Sequence, residues 1–167
     1  MPTIRQAVVN LMALFAVTAL ALAHAQSAAP AQTRPAMTQF AQGTFTVKLV
    51  PLAFEGQAEG TKLGRLSIDK DFAGDLLATS RGQMLSAGTD VKGSAGYVAS
   101  ERVDGALGGR KGSFVLQHSG TLNRGTPGLS VTVVPDSGTA ELTGLIGELK
   151  IIIAEGQHRY EFSYTLP

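Results

Sequence analysis

The 167-residue chain carries 14 basic and 13 acidic residues and neither cysteine nor tryptophan. Without cysteine there is no disulfide and no lipid-modified cysteine, so the folded part must be stable through its own core. Without a Lys/Arg stripe, and with few aromatic residues, nucleic acid finds neither an electrostatic footprint nor a stacking platform.

The chain opens on an address. Arg5 is the one charge before an apolar stretch that runs from Ala7, broken only by Asn10, to Ala23. Its unbroken part, Leu11 to Ala23, falls short of the roughly 20 helical residues that a hydrocarbon core requires. Ala23-His24-Ala25 supplies small residues at the positions a signal peptidase reads, so residues 1–25 are expected to be a signal peptide cleaved before Gln26. No twin arginine precedes the apolar stretch, which favours the general secretory route and a periplasmic or extracellular destination. Residues 26–37 follow as a linker rich in Ser, Ala, Gln and Pro, too poor in apolar side chains to fold. Arg5 is the leader's sole charged residue, so the exported chain carries 13 basic and 13 acidic residues and is neutral overall.

From residue 38 to Pro167 the size is that of one domain. Period-two alternation of apolar and polar residues, bounded by Gly, Pro, Asp and Ser, predicts eight strands. They are Gly43–Leu52, Leu63–Phe72, Asp75–Ala87, Ala95–Leu107, Gly112–Leu122, Leu129–Val134, Gly147–Ala154 and His158–Leu166. Gly82 and Gly105 interrupt the two longest, as bulges and sharp coiling do in curved sheets. Gly108-Gly109 and Glu155-Gly156-Gln157 read as hairpin turns. Pro135 to Leu145 breaks the alternation, with a turn at Pro135–Gly138 and room for one helical turn over Thr139–Leu145. Long strands joined by tight hairpins favour an all-β, eight-stranded antiparallel barrel over a sandwich, because closure leaves no edge. Such a barrel has an interior that side chains fill or that holds one small ligand. A lipid-facing barrel is disfavoured: the strands carry Thr, Lys, Ser, Asp and Arg on one face and lack aromatic girdles. No membrane contact is expected once the leader is removed.

Several strings resemble a known family. They are Leu63-Gly64-Arg65-Leu66-Ser67-Ile68-Asp69-Lys70, Gln83-Met84-Leu85-Ser86-Ala87 and Lys92-Gly93-Ser94-Ala95-Gly96-Tyr97-Val98-Ala99. Gly112 to Thr121 and Val133 to Thr139 belong with them. Together they resemble the domain of unknown function 3224 family over essentially the whole domain from Thr38 onward. The resemblance implies an eight-stranded barrel similar to allene oxide cyclase, an isomerase that folds a fatty-acid epoxide inside its barrel. It carries no catalytic residue across, since the family has no assigned activity.

The residues themselves give no reaction. Two histidines follow the leader, His118 and His158, without the spacing or third ligand of a metal site. Asp69, Asp71 and Asp75 lack the glycine and distal glutamate of a calcium loop. Ser94 and Ser137 are not in a Gly-x-Ser-x-Gly elbow, and Gly105 to Gly112 straddle a hairpin rather than opening a helix onto a phosphate. No metal and no cofactor is expected.

The candidate ligand-binding residues cluster on the fourth, fifth and last strands. Glu101 shares a strand face with Tyr97, Ala99 and Val103. Inside the barrel its carboxyl would be desolvated and available as an acid, a base or a ligand-orienting acceptor. A two-residue turn at Gly108-Gly109 brings Phe114, Leu116 and His118 onto its face; a three-residue turn brings Ser113, Val115, Gln117 and Ser119. The sequence leaves both registers open, together with the bland alternative that Glu101 pairs with Gln117, Arg102 or Arg81. Tyr160, Phe162 and Tyr164 form one face of the last strand, where a tyrosine hydroxyl can meet a cavity or simply pack.

A carrier or sensor of a small, apolar or lipid-like molecule is the leading expectation, because the fold offers a concavity and the sequence offers no reaction. An isomerase or cyclase acting on a lipid-derived substrate follows by fold analogy alone, and a structural protein that assembles through its outer face comes third. A homo-oligomer formed through that face stays open. Intact mass of the protein recovered from its host is expected to match a chain beginning at Gln26. A mass retaining residues 1–25 would overturn the reading of the leader.

Overall fold

The computed structural model describes residues 37–55 and 62–167. The expected signal peptide and all but the end of the linker lie outside the described residues. Eight strands are present: β1 (Gln39–Leu52), β2 (Lys62–Gly74), β3 (Leu76–Gly88), β4 (Ala95–Leu107), β5 (Arg110–Asn123), β6 (Thr126–Val133), β7 (Ile146–Ala154) and β8 (Gln157–Thr165). They pair in chain order and all antiparallel, and β8 returns to β1 to close a barrel.

The expected strands are all found, with two, β1 and β6, beginning three or more residues earlier than the alternation indicated. β1 starts at Gln39 rather than Gly43 because its first residues pair with the end of β8, Gln39 facing Tyr164 and Ala41 facing Phe162. Ala41 and Gly43 are too small to display an inward apolar face, so this long-range pairing leaves no local pattern. β6 likewise extends back to Thr126, held against Asn123 across the β5–β6 turn.

The β4–β5 turn settles the register left open above. Leu107 faces Arg110, so Gly108-Gly109 is a two-residue turn, and both glycines have positive φ (56° and 83°). That conformation matches the right-handed twist of a hairpin and suits glycine. Glu101 consequently faces Leu116, and His118 faces Ala99.

The two ends of the barrel differ. At one end the β4–β5 turn meets the β2–β3 turn through Gly108 N–H, which donates to the Asp75 carbonyl (2.8 Å). Lys111 N–H on β5 donates to Glu141 (2.8 Å) of a short 3-10 turn, Ala140–Leu142, preceded by the Val134–Thr139 segment. That segment stands in for a strand beside the start of β5. Val115 N–H donates to Ser137 Oγ (3.1 Å), Ser113 N–H to Thr139 Oγ1 (3.0 Å) and Thr139 N–H to the Ser113 carbonyl (2.9 Å). The β6–β7 junction can therefore be brief, and its register is a single pair, Thr132 with Glu148. Leu142 and Leu145 drop from this segment onto a core of Phe114, Leu149, Phe162, Leu107 and their neighbours. Phe114 stacks on Phe162 with centroids 5.9 Å apart, and Phe162 tilts against Tyr164 at 5.3 Å. This half of the bore is filled. The other end carries the β1–β2, β3–β4, β5–β6 and β7–β8 connections, and its inward residues are smaller or partly exposed.

Phe114 is 1% exposed at the centre of the filled half. Phe114→Ala is expected to lower the free energy of urea unfolding by about 3–5 kcal/mol. A loss under about 1 kcal/mol would mean that the filled half repacks freely, against the interlocked core described here.

Candidate functional site

A band of polar side chains crosses the bore between the filled half and the open mouth. On β2, Ile68, Lys70 and Phe72 alternate inward, which puts the Lys70 stem along apolar neighbours. On β3, Ala78 and Ser80 point the same way. On β4 the inward set includes Tyr97, Ala99, Glu101 and Val103, and on β5 Phe114, Leu116 and His118. The register then converges four polar groups. Lys70 Nζ donates to Glu101 Oε1 at 2.6 Å, and His118 Nε2 meets the same oxygen at 2.9 Å. Ser80 Oγ donates to Glu101 Oε2 at 2.7 Å. Gly82 faces Glu101 across the β3–β4 pair, and a Cβ there would strike the Ser100 carbonyl and Glu101 itself.

All four groups are buried, Glu101 to 1% exposure and Lys70 to 6%. Burial by itself raises the Glu101 pKa. The hydrogen bond with His118, the charge and hydrogen bond of Lys70 and the Ser80 hydroxyl together outweigh it and hold the pKa down to about 2. Glu101 is thus an ionised carboxylate at every ordinary pH. A carboxylate only accepts, so the His118 ring carries a proton on Nε2. The Lys70 ammonium also lies 5.1 Å from the Phe45 ring centroid and 5.8 Å from that of Phe72. Those aromatic faces attract a cation on the side away from Glu101.

Tyr97 stands on the mouth side of the band, half-buried, its ring laid against Gly120 where no Cβ intervenes. Burial and then the charge of Glu101 raise its phenol pKa. Beyond it the mouth forms a cleft of about 310 Å³ lined by Met84, Ser86, Tyr97, Gly120, Leu122, Leu129 and adjoining backbone. Larger depressions, of about 460 to 560 Å³, are lined largely by outward residues such as Glu148, Lys150 and Glu161, Thr44, Asp71 and Gln157, or Arg102 and Asp104. No member of the polar band lines these depressions or the cleft; the cleft is the one that Tyr97 lines.

The structure brings Glu101 and His118 together and sets Tyr97 above them. Gln117 and Ser119 lie on the outer face and are exposed, because the two-residue turn points them away from Glu101. Neither Gln117, Arg102 nor Arg81 pairs with Glu101; Arg102 pairs with Asp104 on the surface. Tyr160 and Tyr164 belong to the filled half. The Tyr160 hydroxyl accepts from Leu76 N–H at 2.8 Å and donates to the Ala73 carbonyl at 3.3 Å, a clamp on the β2–β3 turn. Lys70 and Ser80 are the residues that sequence reasoning missed. Their signal was a phase, a lysine and a serine in step with inward apolar residues. Among the described residues no group of three His, Asp or Glu side chains is disposed to hold a metal ion.

Fold and site define a small closed barrel with one filled half, a buried ionic band and an apolar mouth. The family model "Protein of unknown function (DUF3224)" matches residues 41–164, and the chain belongs to that family. A crystal structure of a protein with unknown function from the same family, from Shewanella oneidensis MR-1, is 52% identical with a TM-score of 0.76. The match covers 78% of this chain and 98% of that one. Among curated proteins, none matches the chain.

The depressed pKa of Glu101 fixes the sign of its pH dependence. As pH falls, the unfolded chain takes up the proton first. The stabilisation by Glu101 is therefore complete above the ordinary carboxylate value of 4.5 and is lost as pH falls towards about 2. The shift corresponds to about 3 kcal/mol in all. Unfolding free energies measured across that window are expected to fall steeply in the native protein and much less in Glu101→Gln. Because Gln leaves Lys70 buried without its counter-charge, at a cost of about 3–5 kcal/mol, Glu101→Gln/Lys70→Met serves as a second reference. Equal slopes in all three proteins would overturn the assignment.

Proposed function

We propose that the protein binds a small, largely apolar molecule in the open mouth of the barrel, against Tyr97 on the mouth side of the Glu101 band. The observation that carries this reading is the cleft of about 310 Å³, walled by Tyr97 on the mouth side of a band that is already fully paired. Its size lies at the lower end of small-molecule sites, which run from roughly 300 to 1,000 Å³, and its apolar wall with a few polar groups is their usual chemistry. Filled, interlocked packing in the other half supports the same reading, since a rigid base holds a site in shape.

Glu101 favours a carrier or sensor over an isomerase. General acid–base catalysis works best when the group titrates near the working pH. A carboxylate held down to about 2 is neither a proton donor nor an effective base there. Together with the leader expected at residues 1–25, this reading describes a carrier or sensor acting after export, in the periplasm or outside the cell.

The test uses N-phenyl-1-naphthylamine, a neutral apolar fluorophore. Saturable fluorescence enhancement at one probe per chain is expected. Leu129→Trp, at a half-exposed position on the cleft wall, is expected to weaken it by roughly tenfold or more, equivalent to about 1.4 kcal/mol, with an unchanged melting temperature. Absence of saturable binding, or binding indifferent to Leu129→Trp, would overturn the reading.

A further inference from the structure

Resting on the binding role proposed above, we infer that the mouth selects uncharged molecules bearing a hydrogen-bond acceptor, such as a carbonyl or ether oxygen, which the hydroxyl of Tyr97 or of Ser86 receives. Two independent features carry this.

The first is the absence of any charge in the cleft wall. Every residue lining it is apolar, glycine or hydroxyl-bearing. The nearest buried cation, Lys70, is already committed to Glu101 at 2.6 Å and to the Phe45 and Phe72 rings. The His118 Nε2 proton is committed to the same carboxylate. An ionised carboxylate entering the cleft would lose its water and find no counter-charge, which is strongly unfavourable. A ligand ammonium fares no better. Among the described residues the only buried anion, Glu101, has both oxygens occupied and is 1% exposed.

The second is a pair of available donors. Ser86 and Tyr97 are register partners on β3 and β4, with Ser86 Oγ beside Gly64 of β2 and the Tyr97 ring over Gly120 of β5, so the two hydroxyls offer donors at two points of the cleft wall. Among the described residues neither hydroxyl makes a hydrogen bond, in contrast to Ser80, Ser113 and Tyr160, whose hydroxyls are all engaged. A hydroxyl beside apolar surface is most favourable when it is paired. An acceptor oxygen on the ligand supplies that partner without bringing a charge. The Tyr97 ring is held against Gly120, which keeps its hydroxyl in place on the wall. Burial and Glu101 together keep the phenol protonated, hence a donor, well beyond neutral pH.

Competition against bound N-phenyl-1-naphthylamine at neutral pH tests the inference, with three competitors of equal chain length: 2-decanone, decanoate and decane. 2-Decanone is expected to displace the probe at least roughly tenfold more tightly than decanoate. Tyr97→Phe, which keeps the ring on Gly120, is expected to weaken 2-decanone by roughly three- to tenfold while leaving decane unchanged, the worth of one net hydrogen bond. Ser86→Ala serves as a second variant with the same expected direction, and melting temperatures confirm that both fold. Decanoate competing as well as 2-decanone would overturn the exclusion of charge, including the case in which its carboxylate stays at the rim. Equal 2-decanone affinity in Tyr97→Phe and Ser86→Ala would overturn the donor role. Failure of the probe itself to bind is a different result: it removes the binding role and this inference with it.

Discussion

The ion pair between Lys70 and Glu101 is the constraint around which the barrel is organised. Two opposite charges in the middle of a narrow bore are tolerable only if every lone pair and proton is engaged. Meeting that demand recruits Ser80 from β3 and His118 from β5, so four consecutive strands are tied at one level. A slip by one residue in any of those strands would turn its contribution outward and strand the carboxylate. The network thus specifies register as well as charge balance. It also divides the interior. Phe45 and Phe72 take up the lysine from below, and Tyr97 stands on the mouth side with its ring against Gly120.

This division explains why the two halves of the bore are built from different residues. In the filled half, large aromatic and branched side chains meet a plug from the 134–145 segment, whose hydrogen bonds satisfy the free edge of β5. In the open half, Gly82 and Gly120 cede space to Glu101 and Tyr97, and hydroxyls replace rings. The first arrangement supplies stability. The second sacrifices core volume for an accessible surface, a trade expected of a protein whose interior meets a ligand.

Architecture was largely legible in the chain because a barrel strand needs only alternation and a hairpin needs only its turn residues. Gly108-Gly109 is the instructive case. Two adjacent glycines announce a turn, but the distinction between two and three residues lies in how the flanking strands pair, and that choice decides whether His118 or Gln117 faces Glu101. Lys70 was hidden for a different reason. A lysine in a strand ordinarily faces solvent, and its partner stands 31 positions further on, two strands away. The phase it shares with Ile68 and Phe72 was visible; the counter-charge that makes burial tolerable emerges only from closure. Tyr160 illustrates the reverse, a residue chosen for a cavity whose hydroxyl instead clamps the backbone of the β2–β3 turn.

The brevity of the β6–β7 junction has a consequence for how the hoop is kept shut. Elsewhere around the barrel, neighbouring strands share long ladders, but β7 meets β6 through one register pair. The β7–β8 hairpin is therefore moored mainly through β8 on β1, from Gln39 with Tyr164 to Phe45 with His158. These are contacts between the two extremes of the domain, the most costly in chain entropy to bring together. Cohesion of the hoop thus resides in its longest-range seam. Trimming a few residues from either extremity would unfasten the cylinder at that seam, although each remaining hairpin would keep its own ladder.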